Sequence, residues 1–574
     1  DLSGLDLSAE DLAGRDLREA DLTGANLAGA NLQDSDLTGA VLDLALMIDT
    51  NLTRSILTRA QLFGVDLTRA DLTNTILNQA NLKDAWLHSA TMVGADLTDS
   101  NLVGSTLAAA DLRRSDLTNA RLSRADLTGA DLSGAILVGV VLDGVIYRSA
   151  NLSGALLSKR DHDGADFSLA VLTNAELVGS SMKRAILIGA DLTGAVLSES
   201  DLTDADLTDA DLTDADLTDA TLVRTTLQNS TLKGAQLVRA DLSGLDLSLI
   251  DFSNAILDQS LMTSTRLDDA NFLGSSLRSA QLIGAIGSDV TLARADLSGI
   301  RAAAVQLPNG DLSAATLVDA DLTGADLTGA DLTRADLTGA VISNAIAPRG
   351  RFHSTSFLNA TMTGASMEEA DLTKADLSYA NFADTNLTGA NLMEVVLQGG
   401  HFQGAILDET VITNADLSDA LLNGISLRHA TITESDLTGA NLSSADLTGS
   451  VLHTVTTAGV ALSKATLDYA DLRGLKLAGT DFGEASFIGT LLAGADLTNA
   501  NLGGVDLTNA DLTNANLAGA DLWGADLTGA DLTGTDLTGT RLTGTNLTNA
   551  NLTNANLTNA DLRGTDFTRT ILTG

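Results

Sequence analysis

The chain has 574 residues, a formal net charge of −42 and no cysteine, with 3% aromatic and 44% hydrophobic residues. The charge argues against nucleic acid as a direct partner, and the missing cysteine excludes disulfides, zinc–thiolate sites and cysteine nucleophiles. No apolar run approaches the roughly 18 residues of a membrane-spanning helix. The scarcity of aromatic side chains indicates a narrow, uniform interior filled by Leu and Ala.

A five-residue repeat runs from Leu2 to Leu572 without insertion or deletion. Its first to fifth positions read Ala, Asp or Asn, Leu, Thr or Ser, and a variable residue that is often Gly, as in Ala-Asp-Leu-Thr-Gly at 20–24. This period fits neither an α-helix nor a β-strand, so the backbone must turn after each repeat. The pattern predicts that the first and third positions face inward, and that Gly at the fifth position adopts a positive φ.

This repeat resembles that of the pentapeptide-repeat family over essentially the whole chain. The resemblance implies an all-β fold, a right-handed four-sided β-helix with four repeats in each coil. We expect a single continuous pentapeptide-repeat solenoid over residues 1–574, of roughly 29 coils of about 20 residues, with no linker or cap. Residues four repeats apart then lie above one another, so Phe252 should stack on Phe272, and Phe382 on Phe402.

Departures from the repeat are the candidates for contact with a partner protein. Ile136, Val141 and Ile146 occupy three consecutive second positions, where Asp is usual, and an apolar patch on an acidic surface is typical of a contact site. Outward-facing aromatic side chains also commonly anchor partners. Substitution at tolerant surface positions is the alternative interpretation. The candidates in chain order are Trp86, Ile136, Val141, Ile146, Tyr379, Tyr469 and Trp523.

His162 stands at a third, inward position between Asp161 and Asp163. A buried imidazole between carboxylates suits acid–base chemistry or ligation of a metal. The other interpretation, which we favour, is a local substitution in the core.

Residues 201–220 are four DLTDA repeats that place eight Asp around one expected coil. Carboxylate oxygens are ligands for Ca²⁺ or Mg²⁺, but on this fold they point outward from four sides. They are weak metal candidates, and the sequence predicts no bound metal and no cofactor. The eight residues are Asp201, Asp204, Asp206, Asp209, Asp211, Asp214, Asp216 and Asp219.

Six residues are expected to loosen their coils. Four leave a third position underfilled, and two are prolines, which lack a backbone N–H. Local bulges or slight bends should follow. These residues are Gly287, Ala302, Pro308, Ala347, Pro348 and Thr457.

No nucleophile elbow, phosphate-binding loop, zinc-protease motif or dinucleotide fingerprint occurs, so no enzyme is expected. The leading hypothesis is a rigid acidic rod that serves as a structural or protein-interaction scaffold. It includes the possibility of a filament subunit that associates end to end with further copies. The sequence leaves the compartment open between a bacterial cytoplasm and an exported location.

The alternative hypothesis is DNA mimicry. The family resemblance implies it, since some members occupy the DNA-binding surface of a type II topoisomerase such as gyrase. A charge of −42 along an expected rod of roughly 140 Å is about half the linear charge density of duplex DNA.

Overall fold

The computed structural model describes all 574 residues. The chain forms two compact units, Asp1–Gly287 and Ser288–Gly574, which are built from the same kind of coil. Only three strands are continuous over several residues: β1 is Val411–Thr413, β2 is Thr431–Thr433 and β3 is Val451–His453. The fold is all-β, and no helix is present that could cross a membrane.

Parallel pairing between successive coils holds each unit together. The second position of one repeat bridges to the second position four repeats later, as Asp6 does to Asn26. Strands β1, β2 and β3 are a regular stretch of this ladder, in that order, with Ile412 opposite Ile432 and Ile432 opposite Leu452. Since each bridge spans four repeats, each coil has four sides, and its hydrogen bonds are made to neighbouring coils.

One repeat shows how the ladder and the turn share the backbone groups. The N–H of Leu22 donates to the carbonyl of Val41 at 2.7 Å, and the N–H of Val41 donates to the carbonyl of Ala20 at 2.9 Å. The turn closes where the N–H of Ala25 donates to the carbonyl of Leu22 at 3.0 Å. Gly24 has a φ of 62°, as expected for the third residue of a type II turn. The predicted positive φ is confirmed.

The fifth position keeps a positive φ even where it is not Gly, as at Arg54 (61°) and Thr454 (59°). Gly has a second use at this position, because it makes room for a side chain in the preceding coil. A Cβ on Gly139 would lie 2.1 Å from Oδ1 of Asn119. At this corner a larger side chain in one coil is therefore followed by Gly in the next.

The interior is filled by first and third positions, as predicted. Ala and Leu at these positions are almost entirely buried. Phe252 stacks on Phe272 with ring centroids 4.8 Å apart and an interplanar angle of 4°. Phe382 stacks on Phe402 at 4.8 Å and 8°. Both predicted aromatic stacks are confirmed.

The predicted loosening is confirmed at Thr457. The bridge that should join Thr456 to Lys476 is missing, and the side-chain hydroxyl of Thr457 donates instead to the carbonyl of Lys476. A cleft of about 570 Å³ opens between residues 454–458 and residues 474–478.

The predicted loosening is wrong at both prolines. A fourth-position N–H takes no part in the ladder between coils, so proline removes nothing from it. The fourth-position carbonyl does take part, and it still does so here. The carbonyl of Pro308 accepts from the N–H of Asp289 at 3.1 Å, and that of Pro348 accepts from Gly329 at 3.0 Å.

The prediction is also wrong at Ala302 and Ala347, whose N–H groups donate to the next coil at 2.8 and 2.7 Å. Near Ala347 the ring of Phe352 fills the interior, because a Cβ on Gly350 would lie 2.6 Å from that ring. At Gly287 the backbone itself moves inward. A Cβ there would lie 2.7 Å from the carbonyl carbon of Leu267.

Candidate functional site

The carboxylates at second positions are held in place by their own turns. Oδ1 of Asp126 accepts the N–H of Thr128 at 2.9 Å and its hydroxyl at 2.6 Å. The same two bonds join Asp536 to Thr538 at 3.0 and 2.6 Å. Hydrogen bonds to an ionised carboxylate favour the charged form, and the bonds from Thr538 lower the pKa of Asp536. These carboxylates are therefore held in fixed positions before any partner binds.

Second-position residues of successive coils form a column. In several columns Asn or Arg stands between carboxylates and reduces their mutual repulsion. Nδ2 of Asn501 donates to Oδ1 of Asp481 at 2.7 Å, and Arg541 lies 3.0 Å from Asp521. Like charges one coil apart repel, so these alternations replace a repulsion with a hydrogen bond.

The acidic coil at 201–220 holds its eight carboxylates apart. The second-position Asp are half-buried and bonded to the Thr two residues on, as at Asp206 (3.0 Å). The fifth-position Asp are exposed, and Asp204 is paired with Arg224 at 2.6 Å. The structure has no group of three or more His, Cys, Asp or Glu arranged to hold a metal ion. The weak metal candidates remain an untested prediction.

Five exposed apolar side chains lie on three consecutive sides of the coils in the first unit and are called the apolar patch: Ile136, Val138, Val141, Ile146 and Leu156. Their side chains are between 40% and 46% exposed. Ile136 and Leu156 occupy one side of successive coils and are bridged to each other, while Val141 and Ile146 begin the next two sides. The predicted outward placement is confirmed, and the role of the patch as a contact site remains a prediction.

The coil ladder is open beneath this patch, where Val141 and Asp161 are not bridged. The cause lies at the inward first position, where Arg160 stands one coil above Val140. Both slots usually hold Ala, and we attribute the separation of the coils to the longer side chain of Arg160 above the β-branched Val140. The backbone N–H groups that lack a partner in the next coil are those of Leu137, Gly139, Leu142 and Gly144.

A second opening in the first unit has the same cause. Leu245 stands above Thr225 at the first position, and the bridge between Thr226 and Asp246 is missing. A cleft of about 360 Å³ lies there. In the second unit, Leu475 above Val455 accompanies the cleft beside Thr457. Each opening therefore has Leu or Arg stacked on a β-branched residue.

Replacing Leu245 with Ala should close the ladder over Thr225. We expect the amide of Asp246 to exchange with solvent about tenfold more slowly, or slower still, because it regains a carbonyl partner in the preceding coil. Hydrogen exchange measured by NMR or mass spectrometry tests this. Ile300→Ala is the matched control, since Asp321 already donates to the carbonyl of Ile300 at 2.9 Å. Unchanged exchange at Asp246 would contradict the stacking explanation.

A polar cluster is buried within the coil above the patch. The ring of Tyr147 stacks on Phe167 at 4.6 Å and lies edge-on to His162 at 6.3 Å. No hydrogen bond of ordinary geometry reaches the Tyr147 hydroxyl, either ring nitrogen of His162 or Nε of Arg160. Burial lowers the pKa of His162 to about 4 and raises the pKa of Tyr147. His162 is a core substitution, and a side chain 2% exposed offers a substrate no access.

The outward aromatic residues are exposed, and they belong to both units. Trp86 is 62% exposed and stands three coils from Ile146 in the same column. Trp523 belongs to the second unit, where the guanidinium of Arg541 lies 5.8 Å from its ring centroid. Tyr379 and Tyr469 are exposed at fifth positions. Within the second unit, Tyr379, Tyr469 and Trp523 stand on different coils.

Arg160 and the openings at Val140 and Thr225 were not predicted from the sequence. Comparison of first positions four repeats apart picks out these pairs, but it also picks out Leu245 with Thr265, where the N–H of Arg266 still donates to the carbonyl of Leu245 at 3.0 Å. A single large residue is not enough. Ile300 is followed one coil later by Ala320, and its ladder stays closed.

The family model of pentapeptide repeats, which contains eight copies of the repeat, matches overlapping segments from residue 6 to residue 574. The unmatched stretches are short, at 145–149, 260–264, 302–308, 345–350 and 450–457. No curated protein matches the chain.

Solved structures with similar coils include three pentapeptide-repeat examples. QnrB1, a plasmid-mediated fluoroquinolone resistance protein, is 21% identical over 41% of this chain and 89% of its own, with a TM-score of 0.24. A protein of the Arabidopsis thaliana thylakoid lumen is 33% identical over 17% of this chain and 69% of its own, at 0.17. HetL from Nostoc, involved in heterocyst differentiation regulation, is 28% identical over 46% and 90%, at 0.14. With the repeat matched along nearly all of its length, the chain belongs to the pentapeptide-repeat family.

Proposed function

We propose that this chain is a non-enzymatic protein-interaction scaffold, folded as one right-handed, four-sided β-helix of roughly 29 coils. The five-residue frame continues in the sequence through Gly287 and Ser288, which supports a single solenoid. The observation that carries the function is the array of carboxylates fixed by their own turns, as at Asp126.

An ordered array of charge favours binding, because its side chains lose little freedom when a partner arrives. With a net charge of −42, the complementary partner is a protein with a basic surface. The apolar patch supplies a second kind of contact, in which burial of hydrophobic area contributes affinity. Scaffold binding therefore combines charge along the sides with local apolar contacts.

The test compares the wild-type chain with two variants as bait for proteins from its source cells, followed by reconstitution with the purified partner. One variant replaces Asp201, Asp206, Asp211 and Asp216 with Asn. Asn keeps the turn, since Asn51 accepts both bonds of Thr53 at 3.0 and 2.7 Å. The other variant carries Ile136→Asn and Val141→Asn. A partner bound by wild type and lost in either variant supports the proposal. Identical binding by all three chains contradicts it.

DNA mimicry is the second candidate, favoured by the charge of −42 and by carboxylates held outward. A supercoiling assay with gyrase, with and without a quinolone, tests it directly. Inhibition of supercoiling or protection from the quinolone supports mimicry. The absence of both effects at micromolar protein contradicts it.

End-to-end association into filaments is a third version of the scaffold. Negative-stain microscopy distinguishes it, since filaments lengthen with protein concentration. Particles of one constant length at every concentration would contradict this version while leaving the lateral scaffold intact.

A further inference from the structure

The apolar patch lies in a stretch of the chain that carries no net charge. Residues 111–186 contain nine Asp and Glu and nine Lys and Arg, although the whole chain has a net charge of −42. Repulsion between two acidic chains is therefore weakest where their apolar patches would meet. An apolar centre with a charged rim is also the usual anatomy of a protein interface.

Opposite charges flank Val141 along the stacking direction. Arg121 is bridged to Val141 from the preceding coil, and Asp161 stands in the same column one coil later. Arg121 and Asp161 are both exposed, and neither belongs to any of the chain's ion pairs. The Asp161 carboxylate accepts only the N–H of Asp163, at 3.0 Å. The column thus reads positive, apolar, negative.

We propose that a second copy of this chain binds here, with its stacking direction reversed. A twofold axis that passes by Val141, perpendicular to the stacking direction, places Arg121 of each copy opposite Asp161 of the other. The same rotation places the adjoining side, which carries Ile136 and Leu156, next to its counterpart, so these side chains lie at the margin of the contact. Each contact is then made twice, as in any isologous dimer.

Arg124 and Lys159 support the same arrangement. Both lie on the rim without an ion-pair partner in their own chain, as does the carboxylate of Asp143. Elsewhere on the surface many basic side chains are already paired, as Arg69 is to Asp49 at 2.7 Å. Unpaired groups of both signs around one apolar patch fit a self-complementary surface, which a purely basic partner would not match.

Sedimentation velocity tests the proposal on the full chain. Wild type should form a species of twice 58.9 kDa as concentration rises. Arg121→Asp and Asp161→Arg should each weaken the dimer by about tenfold or more, because each creates two repulsive contacts. An equimolar mixture of the two single variants should dimerise again, since each repulsion then becomes an attraction. The double variant in one chain should also recover the dimer.

Two controls separate the interface from general effects on charge or folding. Ile256→Asp changes another exposed apolar second position, and Asp241→Arg removes a carboxylate bonded to Ser243 at 3.0 Å. Both should leave the dimer unchanged, whereas Val141→Asp should weaken it. Circular dichroism should show the same fold in every variant.

A wild-type chain that stays monomeric would overturn the proposal. So would a mixture of the two charge variants that associates no better than either alone. A failure of the dimer proposal can be told apart from a failure of the scaffold proposal. The Arg121→Asp variant, expected to be monomeric, can still be tested for binding of a partner protein through its acidic coils.

Discussion

Acidification from about pH 6.5 to about pH 4 is expected to destabilise the coils around His162 by about 3 kcal/mol. Burial lowers the pKa of this imidazole from 6.5 to about 4. In the unfolded chain the ring takes up its proton at the higher pH, so proton uptake favours unfolding throughout this interval. The free energy of unfolding is therefore highest above the pKa that His162 has in the unfolded chain, and it decreases as the pH falls to the pKa of the folded chain.

Hydrogen exchange at the amides of Tyr147, His162 and Phe167 measures this local stability. A local measurement is appropriate because coils of a repeat protein can unfold separately, so one global unfolding transition would not isolate this region. His162→Leu should abolish the pH dependence in this interval. It should also add about 1 to 3 kcal/mol at neutral pH, because it removes two unpartnered buried nitrogens. A control variant at exposed His88, His88→Ser, should retain the pH dependence. If local stability in His162→Leu still fell with pH as steeply as in wild type, the pH dependence could not be assigned to the His162 ring.

Truncation of Phe382 to Ala is expected to destabilise its coils by about 3 to 5 kcal/mol. The ring is fully buried, stacked on Phe402 at 4.8 Å and edge-on to Phe357 at 6.2 Å. Removing it leaves a cavity in a narrow interior and removes both ring contacts. Local unfolding free energies from hydrogen exchange at residues 377–407 should record the loss.

Phe382→Leu is the matched control, because Leu is the usual third-position residue. It should destabilise the same coils by about 1 kcal/mol, since it keeps most of the buried volume. Equal losses for Ala and Leu would show that the aromatic stack, rather than the filled volume, stabilises this region.

The stacked pairs show why so much of this fold follows from the sequence. A contact between Phe252 and Phe272 requires only that every coil contain four repeats of equal length. The family resemblance implies the four repeats, and the unbroken frame of five keeps their length equal. Inward and outward faces follow for the same reason, as does the positive φ of Gly24. Long-range contacts in most folds depend on topology, whereas here they are set by a fixed sequence separation.

The failures have equally specific causes. The sequence predicts a loosened coil at Pro308, but the fourth-position N–H is not a ladder donor. Ala347 was expected to leave space, but the ring of Phe352 occupies it. Both errors came from judging a residue by its type without knowing which backbone groups and which neighbours its position uses.

The candidate contact surface was partly visible in the sequence. Ile136, Val141 and Ile146 break the acidic pattern and are exposed as predicted. The charges beside them were missed, although Arg121 and Asp161 each lie 20 residues from Val141 and so fall in its column. The open ladder beneath the patch was also missed, since it requires Arg160 to be placed above Val140.

The sequence by itself determined the repeat, its inward and outward positions and the family, because a period of five allows only a coil that turns after each repeat. The tertiary structure decided which coils separate and which charges face one another. Those outcomes depend on pairs of side chains in adjacent coils, whose combined volume and charge no single repeat contains.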